Sequence, residues 1–292
     1  SFHDLGGELL STIPLNPLPT DWDPFGLDPG TGKFASVALS LNGKSLFVAH
    51  HTHGVDCQRA TSLFGRRASK NEWGPQADRA LVHFITYLHG KADHVRYAVT
   101  SSRELRHGLI RAEARCDAAH AGDKDISEPN REPNWTGESF GTTRLIGLLG
   151  VTNAVCSERF MRHKKTRPSS AEDEFVGGVE VSKDLIRTVE CYEATSGRPI
   201  HEERLKMDAS AALKNIVDLG ESLAHMTRYG GVRQSWMGTY WRGDGRNVAW
   251  TSGKEFGEDL GTKSKDEQTF EQFLSQFNYV NPKDFHYNVD EP

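Results

Sequence analysis

Cysteine is scarce in this chain and never closely spaced: Cys57, Cys116, Cys156 and Cys191 stand far apart, with no CxxC pair. That argues against a zinc ribbon or a redox motif and leaves reduced, mostly buried thiols as the expectation. No apolar run approaches the length that spans a bilayer, so no membrane partner is expected. The opening SFHDLGGELLSTIPLNPLP lacks a basic region followed by an apolar stretch. No secretory signal is expected, and a cytoplasmic location is the default. Long internal repeats are missing too, which argues against a repeat architecture. Net positive charge is also lacking: at −5 the chain is not an indiscriminate nucleic-acid binder. What is present, 36% apolar and 26% charged residues over 292 positions, is a globular composition, read as a single domain spanning 1–292.

The charge is unevenly spread. Residues 59 to 70 carry Arg59, Arg66, Arg67 and Lys70 with no acid, and residues 158 to 167 (ERFMRHKKTR) carry five Lys or Arg against one Glu. Residues 255 to 292 reverse the balance, with nine acids against three lysines. Opposite patches on one chain favour head-to-tail contacts between copies.

Periodicity and turn signals suggest strands with interspersed helices, an α+β arrangement. FASVALSL and SLFVAH, joined by Asn42-Gly43, read as a hairpin. Pro75 opens a helix whose Ala77, Leu81, Phe84 and Leu88 share a face and which stops at Gly90. The stretches 121–143 and 163–178 read as long loops, and VEVSKDLIRTVECYEAT as one or two strands. Asp208 caps a helix over 209–229 that Gly230-Gly231 ends. Trp236 to Trp241 and Asn247 to Thr251 flank GDG as a second hairpin.

The segment YAVTSSRELRHGLIRAEARCDAA, residues 97 to 119, carries the strongest local pattern. Ser101 and Glu104 have the spacing of a capping box, so a helix is expected to start there. Leu105, Leu109, Ala112, Cys116 and Ala119 then fall on one helical stripe, while Arg103, His107, Arg111 and Arg115 line a second ridge. Like charges four apart repel unless an anion lies across them. One reading is a solvated face balanced by Glu104, Glu113 and Asp117; the other is a phosphate backbone along the ridge.

Arg96 through Arg115 resembles a piece of the guide-RNA-binding backbone subunits of CRISPR effector complexes, in which a Ser-rich turn leads into a helix of the form S-x-x-L-R-x-x-x-x-R. Ser102, Leu105, Arg106 and Arg111 stand near those roles over about twenty residues. The resemblance implies an RRM-like (ferredoxin-like) α+β core with long loop insertions and β-hairpins. It also implies several copies stacked along one guide RNA beside other effector subunits, and phosphate gripping without catalysis. The expected partners are thus single-stranded RNA, copies of the same chain and other effector subunits. Candidate RNA-binding residues are Arg66, Arg67, Arg103, Arg106, Arg111, Arg115, Arg162, Lys164 and Lys165. No cofactor and no tightly held metal are expected.

Two other classes compete with this reading. A hydrolase would use either the cluster His50, His51 and His53, whose alternating His51 and His53 share a face at the end of a strand, or Ser139 in Gly137-Glu-Ser-Phe-Gly141, a GxSxG match. Neither candidate has converging partners at readable positions. A self-assembling shell protein would share the loops and the charge asymmetry. Trp236, Tyr240, Trp241 and Trp250 are read either as stacking surfaces for bases or as core of a half-buried hairpin.

Overall fold

The computed structural model describes residues 9–24, 26–51, 54–119, 137–163, 169–217, 228–263 and 265–281. In chain order the helices and strands are α1 (Ala38–His51), α2 (Gly54–Ser69), α3 (Pro75–Gly90), β1 (Val95–Arg96), α4 (Ser102–Arg106), β2 (Ile110–Ala119), β3 (Glu138–Gly147), β4 (Asn153–Arg162), α5 (Ser170–Ser196), β5 (Glu202–Met207), α6 (Ser210–Val217), α7 (Arg228–Trp241), β6 (Arg246–Trp250), α8 (Glu267–Ser275) and β7 (Tyr279–Val280). They divide into two compact units, residues 1–97 with 264–292 and residues 98–263. Among the described residues no helix is long and apolar enough to cross a membrane.

The second unit is built on a five-stranded sheet in the order β4-β3-β2-β5-β6. Strands β2, β3 and β4 are antiparallel neighbours, whereas β5 runs parallel to β2 and β6 parallel to β5. A parallel neighbour needs a crossover connection, which the 27-residue α5 supplies between β4 and β5. This topology overturns the RRM-like, ferredoxin-like expectation, because an RRM has a four-stranded sheet. The core lies between sheet and helices, where Ala112, Ala114 and Cys116 of β2 meet Phe175, Val179 and Leu185 of α5, and Leu205 and Met207 of β5 meet Ile216 and Met237.

The segment expected as one long helix after Ser101 is a short helix followed by a central strand. Ser101 does cap α4, its Oγ accepting from Glu104 N at 3.3 Å. The Glu104 carboxylate turns elsewhere, accepting from Leu149 N and Thr152 N at 2.7 Å each and from Val151 N at 3.4 Å, so it clamps the β3–β4 turn. Helix α4 ends after five residues. Beyond it Arg111, Glu113, Arg115 and Asp117 alternate strictly with Ala112, Ala114, Cys116 and Ala118, a period of two that the alanine-rich composition disguises as helix.

Further expectations are corrected by burial. The Asn42-Gly43 hairpin is the interior of helix α1, because Ala38, Leu41, Ser45 and Ala49 are buried at helical spacing. The loop 163–178 and the strands after it give way, from Ser170 onward, to α5, which starts at the Ser169 cap and ends at Gly197 with φ of 66°. Residues 138–143, expected in the loop 121–143, belong to β3 (Glu138–Gly147); 120–136 lie outside the described residues. Trp236 to Trp241 belong to α7, which runs through Gly230-Gly231 rather than stopping there, while α6 covers only the first part of the expected 209–229 helix.

In the first unit α3 spans the expected residues and buries Ala77, Leu81 and Phe84. Phe64 of α2 sits among Trp22, Trp73 and Phe84 with ring centroids 5.2 to 5.9 Å apart. The small sheet pairs β1 with β7. Cys57 and Cys116 are buried and Cys156 and Cys191 exposed, and none of the four is in a disulfide.

Candidate metal centre

Two strand ends bring the first pair of acids together. Cys116 on β2 lies beside Met207 on β5 in the parallel register, so Asp117 and Asp208, the next residues on each chain segment, stand next to each other at one end of the sheet. Both anchors are fully buried. The third acid, Asp259, comes from a 3₁₀ turn at Gly257–Gly261. One carboxylate oxygen from each of Asp117, Asp208 and Asp259 falls within 4.8 Å of the others. Glu174, in the first turns of α5, accepts from Ala118 N at 3.0 Å, one residue beyond Asp117. Its Oε2 is buried with no hydrogen-bond partner.

The surrounding groups are cationic or hydroxylic. Lys263 Nζ lies 3.2 Å from Asp117 Oδ1 and 2.7 Å from Asp259 Oδ1, and the Thr262 hydroxyl donates to Asp117 Oδ2. Burial pushes the Asp117 carboxyl up; Lys263 pulls it down and the Asp259 charge adds to the rise. Burial, then the charges of Asp117 and Asp208, push Glu174 up strongly. Lys263 is pushed up despite burial by Asp117 and Asp259. The unpartnered Glu174 Oε2 is available as a cation ligand beside the three aspartates. An all-oxygen set of this kind fits a hard divalent cation such as Mg²⁺ or Mn²⁺ better than zinc. Asp117, Asp208 and Asp259 would hold it, with Glu174 beside them.

The expected RNA-gripping residues are dispersed. Arg67 is buried in the first unit, its guanidinium donating to the carbonyls of Pro24, Asp23, Gly26 and Glu72, so it is a structural residue. Arg66 neighbours it on α2. Arg103 and Arg106 are exposed on α4. Arg111 and Arg115 do have an anion across them, and it is the protein's own: Arg115 Nε lies 2.6 Å from Glu113, and Arg111 lies 3.6 Å from Glu113 and 3.7 Å from Glu202. Arg162 ends β4, while Lys164 and Lys165 fall outside the described residues.

The hydrolase candidates fare differently. His50 and His51 lie in helix α1, where alternate residues do not share a face, and His53 is outside the described residues. Ser139 lies in strand β3 rather than on a sharp turn. Its Oγ is 3.1 Å from His163 Nε2, and His163 Nδ1 is 2.5 Å from Asp173 Oδ1. All three side chains are buried, so this Ser-His-Asp chain presents no nucleophile to a substrate. Trp236 stacks on Tyr240 and Trp241 is core, but Trp250 is 61% exposed, its Nε1 donating to Asp208 O at 2.9 Å.

By sequence Asp117 reads as a balancing charge, Asp208 as a helix cap and Asp259 as part of an acidic tail. A signal was present. Arg115-Cys-Asp-Ala118 and Lys206-Met-Asp-Ala209 repeat one pattern, an acid directly after a buried apolar residue at the end of an amphipathic strand. Glu174 and Asp259 had no comparable signature.

No protein-family model matches the chain, and no curated protein matches it. Among solved structures it is similar to the RNase H1 of the halophilic archaeon Halobacterium salinarum, at 15% identity, 51% of this chain and 90% of that one, with a TM-score of 0.31. LC11-RNase H1 in complex with an RNA/DNA hybrid aligns at 10% identity over 50% of this chain and 88% of that one, TM-score 0.30. The NurA nuclease of Sulfolobus solfataricus aligns at 10% identity over 67% of this chain and 64% of that one, TM-score 0.26. The expectation of a non-catalytic guide-RNA subunit is corrected by the site itself, because the second unit gathers the carboxylates of Asp117, Asp208 and Asp259 at one end of its sheet.

Proposed function

We propose that the unit formed by residues 98–263 is a divalent-cation-dependent nuclease that hydrolyses phosphodiester bonds. The observation that carries this reading is the convergence of Asp117, Asp208 and Asp259 within 4.8 Å, with the unpaired Glu174 oxygen beside them. When bound, the cation supplies Lewis-acid stabilisation of a phosphoryl oxygen and favours deprotonation of an attacking water. The chain's own contribution is to hold the ligands on rigid strand ends and to balance their charge with Lys263.

Two neighbours favour nucleic acid over a small phosphate ester. Trp250 lies in register with Met207, one strand from Asp208, and presents an exposed indole at the carboxylate end of the sheet. A base can stack on such a surface without sequence preference. On the opposite side Arg162 pairs with Glu138, which pairs with Ala119, so exposed Arg162 stands at that same end of the sheet. There it supplies charge for a phosphate backbone.

The test is cleavage of end-labelled single-stranded RNA, single-stranded DNA and an RNA/DNA hybrid in Mg²⁺ or Mn²⁺. Cleavage is expected to stop with EDTA and with Asp117→Asn or Asp259→Asn. Cleavage that persists in either variant refutes the assignment.

A further inference from the structure

Two of the four acids do not sit on strands, yet each must be held to a fraction of an ångström for a cation to bind. Glu174 rides on the first turns of α5 and Asp259 on a 3₁₀ turn. In both cases the residue just before the site acid is itself a buried acid, giving Asp173-Glu174 and Glu258-Asp259. These preceding acids face the sheet. Asp173 Oδ1 meets His163 Nδ1 at 2.5 Å, and His163 Nε2 meets Ser139 Oγ at 3.1 Å. The His163 backbone N donates to Gly137 O at 2.8 Å, which fixes the ring at the edge where β4 leaves β3. Glu258 Oε1 accepts from Arg144 Nη2 at 2.8 Å and from Thr142 Oγ1 at 2.7 Å, with Arg144 2% exposed and Glu258 fully buried.

We propose that His163 and Arg144 are positioning residues of the carboxylate site, each fastening to the sheet the acid that precedes a cation-binding acid. His163 locks the first turns of α5 from one face of the sheet through Asp173, and Arg144 locks the 3₁₀ turn from the other through Glu258. The anchors set the side-chain directions. Within each acid pair one carboxylate is spent on the sheet, and its neighbour is left for the site. The His163 anchor and the packing of α5 also account for the GxSxG match: Ser139 is the far end of the His163 chain, and Gly141 is bare because a Cβ there would come 2.9 Å from Val181 Cγ2 of α5. Partners that orient metal ligands typically change cation affinity about 10- to 100-fold when removed.

This inference rests on the cation-site reading above, and its test separates the two. Mn²⁺ binding to the full chain is measured by titration calorimetry, with the melting temperature of the cation-free protein recorded in parallel. His163→Ala is expected to weaken Mn²⁺ binding at least tenfold, while His163→Asn, which keeps a donor toward Asp173, restores most of it. Arg144→Met combined with Glu258→Met replaces a buried ion pair by apolar volume, which keeps a fold stable. It is expected to melt near the parent temperature yet bind Mn²⁺ at least tenfold more weakly. If His163→Ala does not fold, this double variant carries the test. Affinity within about twofold of the parent in a folded variant overturns the positioning role. Unchanged Mn²⁺ binding in Asp117→Asn and Asp259→Asn overturns the cation site itself, and the positioning role with it.

Discussion

Replacing Asp208 by asparagine should move stability and cation binding in opposite directions. In the cation-free protein three carboxylates share a sphere of 4.8 Å, and two unit charges at that separation repel by about 3 kcal/mol at an effective dielectric near 20. Asp208 is half-buried, and Lys263 already offsets part of the field. Screening therefore leaves about 1 to 2 kcal/mol to be gained by removing its charge. For a unit of this size that is a rise of roughly 2 to 8 °C in melting temperature. The parent should instead gain its stability from the cation, about 2.7 kcal/mol at a hundred times the dissociation constant. Thermal melts of Asp208→Asn and parent, each in EDTA and along a Mn²⁺ series, read both effects. The variant should start higher and respond less. A variant that melts lower than the parent in EDTA and keeps the full Mn²⁺ response would refute the reasoning, because Asp208 would then be an ordinary structural group.

Other outcomes depend on single contacts. Glu104→Gln should cost about 2 to 3 kcal/mol, since a buried carboxylate accepting several amides is lost from the β3–β4 turn; chemical denaturation monitored by circular dichroism checks this. Although burial raises the Glu104 carboxyl, the hydrogen bonds from Thr152, Leu149 and Val151 outweigh it and hold the group below its ordinary value of 4.5. Its contribution is therefore complete above about pH 5 and is lost as pH falls through the folded value, so parent and variant should converge in acid. Gly177→Ala should destabilise by about 1 to 3 kcal/mol, because the new methyl would collide with Cys116 Sγ and come 2.9 Å from Ser139 Cβ, prising α5 off the sheet. Arg67→Met should lower the melting temperature and leave the salt dependence of RNA binding unaltered, since four backbone carbonyls already occupy its guanidinium.

Local signals carried some elements and failed at others for identifiable reasons. Pro75 and the spacing of Ala77, Leu81 and Phe84 determined α3 without help from the rest of the chain, and Ser101 determined where α4 begins. The strand beyond α4 was decided by other parts of the chain. Ala112, Ala114 and Cys116 satisfy a helical stripe and a strand face almost equally, and only the presence of β3 on one side, β5 on the other and α5 above selects the strand. The Asn42-Gly43 pair is a strong hairpin signal in isolation, and packing of α1 on α2 overrides it. Cysteine spacing argues against a zinc ribbon or a redox motif from the sequence alone. The carboxylate site is different in kind. Its acids are separated by 57, 34 and 51 residues along the chain (117 to 174, 174 to 208, 208 to 259), and each one read singly is an ordinary surface charge. They become a site only because a parallel register sets Asp117 beside Asp208, and because a crossover helix and a 3₁₀ turn bring Glu174 and Asp259 to the same strand ends. Asp117 and Asp208 share a local strand-end pattern, but the proximity of all four acids is a property of the folded sheet that no residue pattern announces.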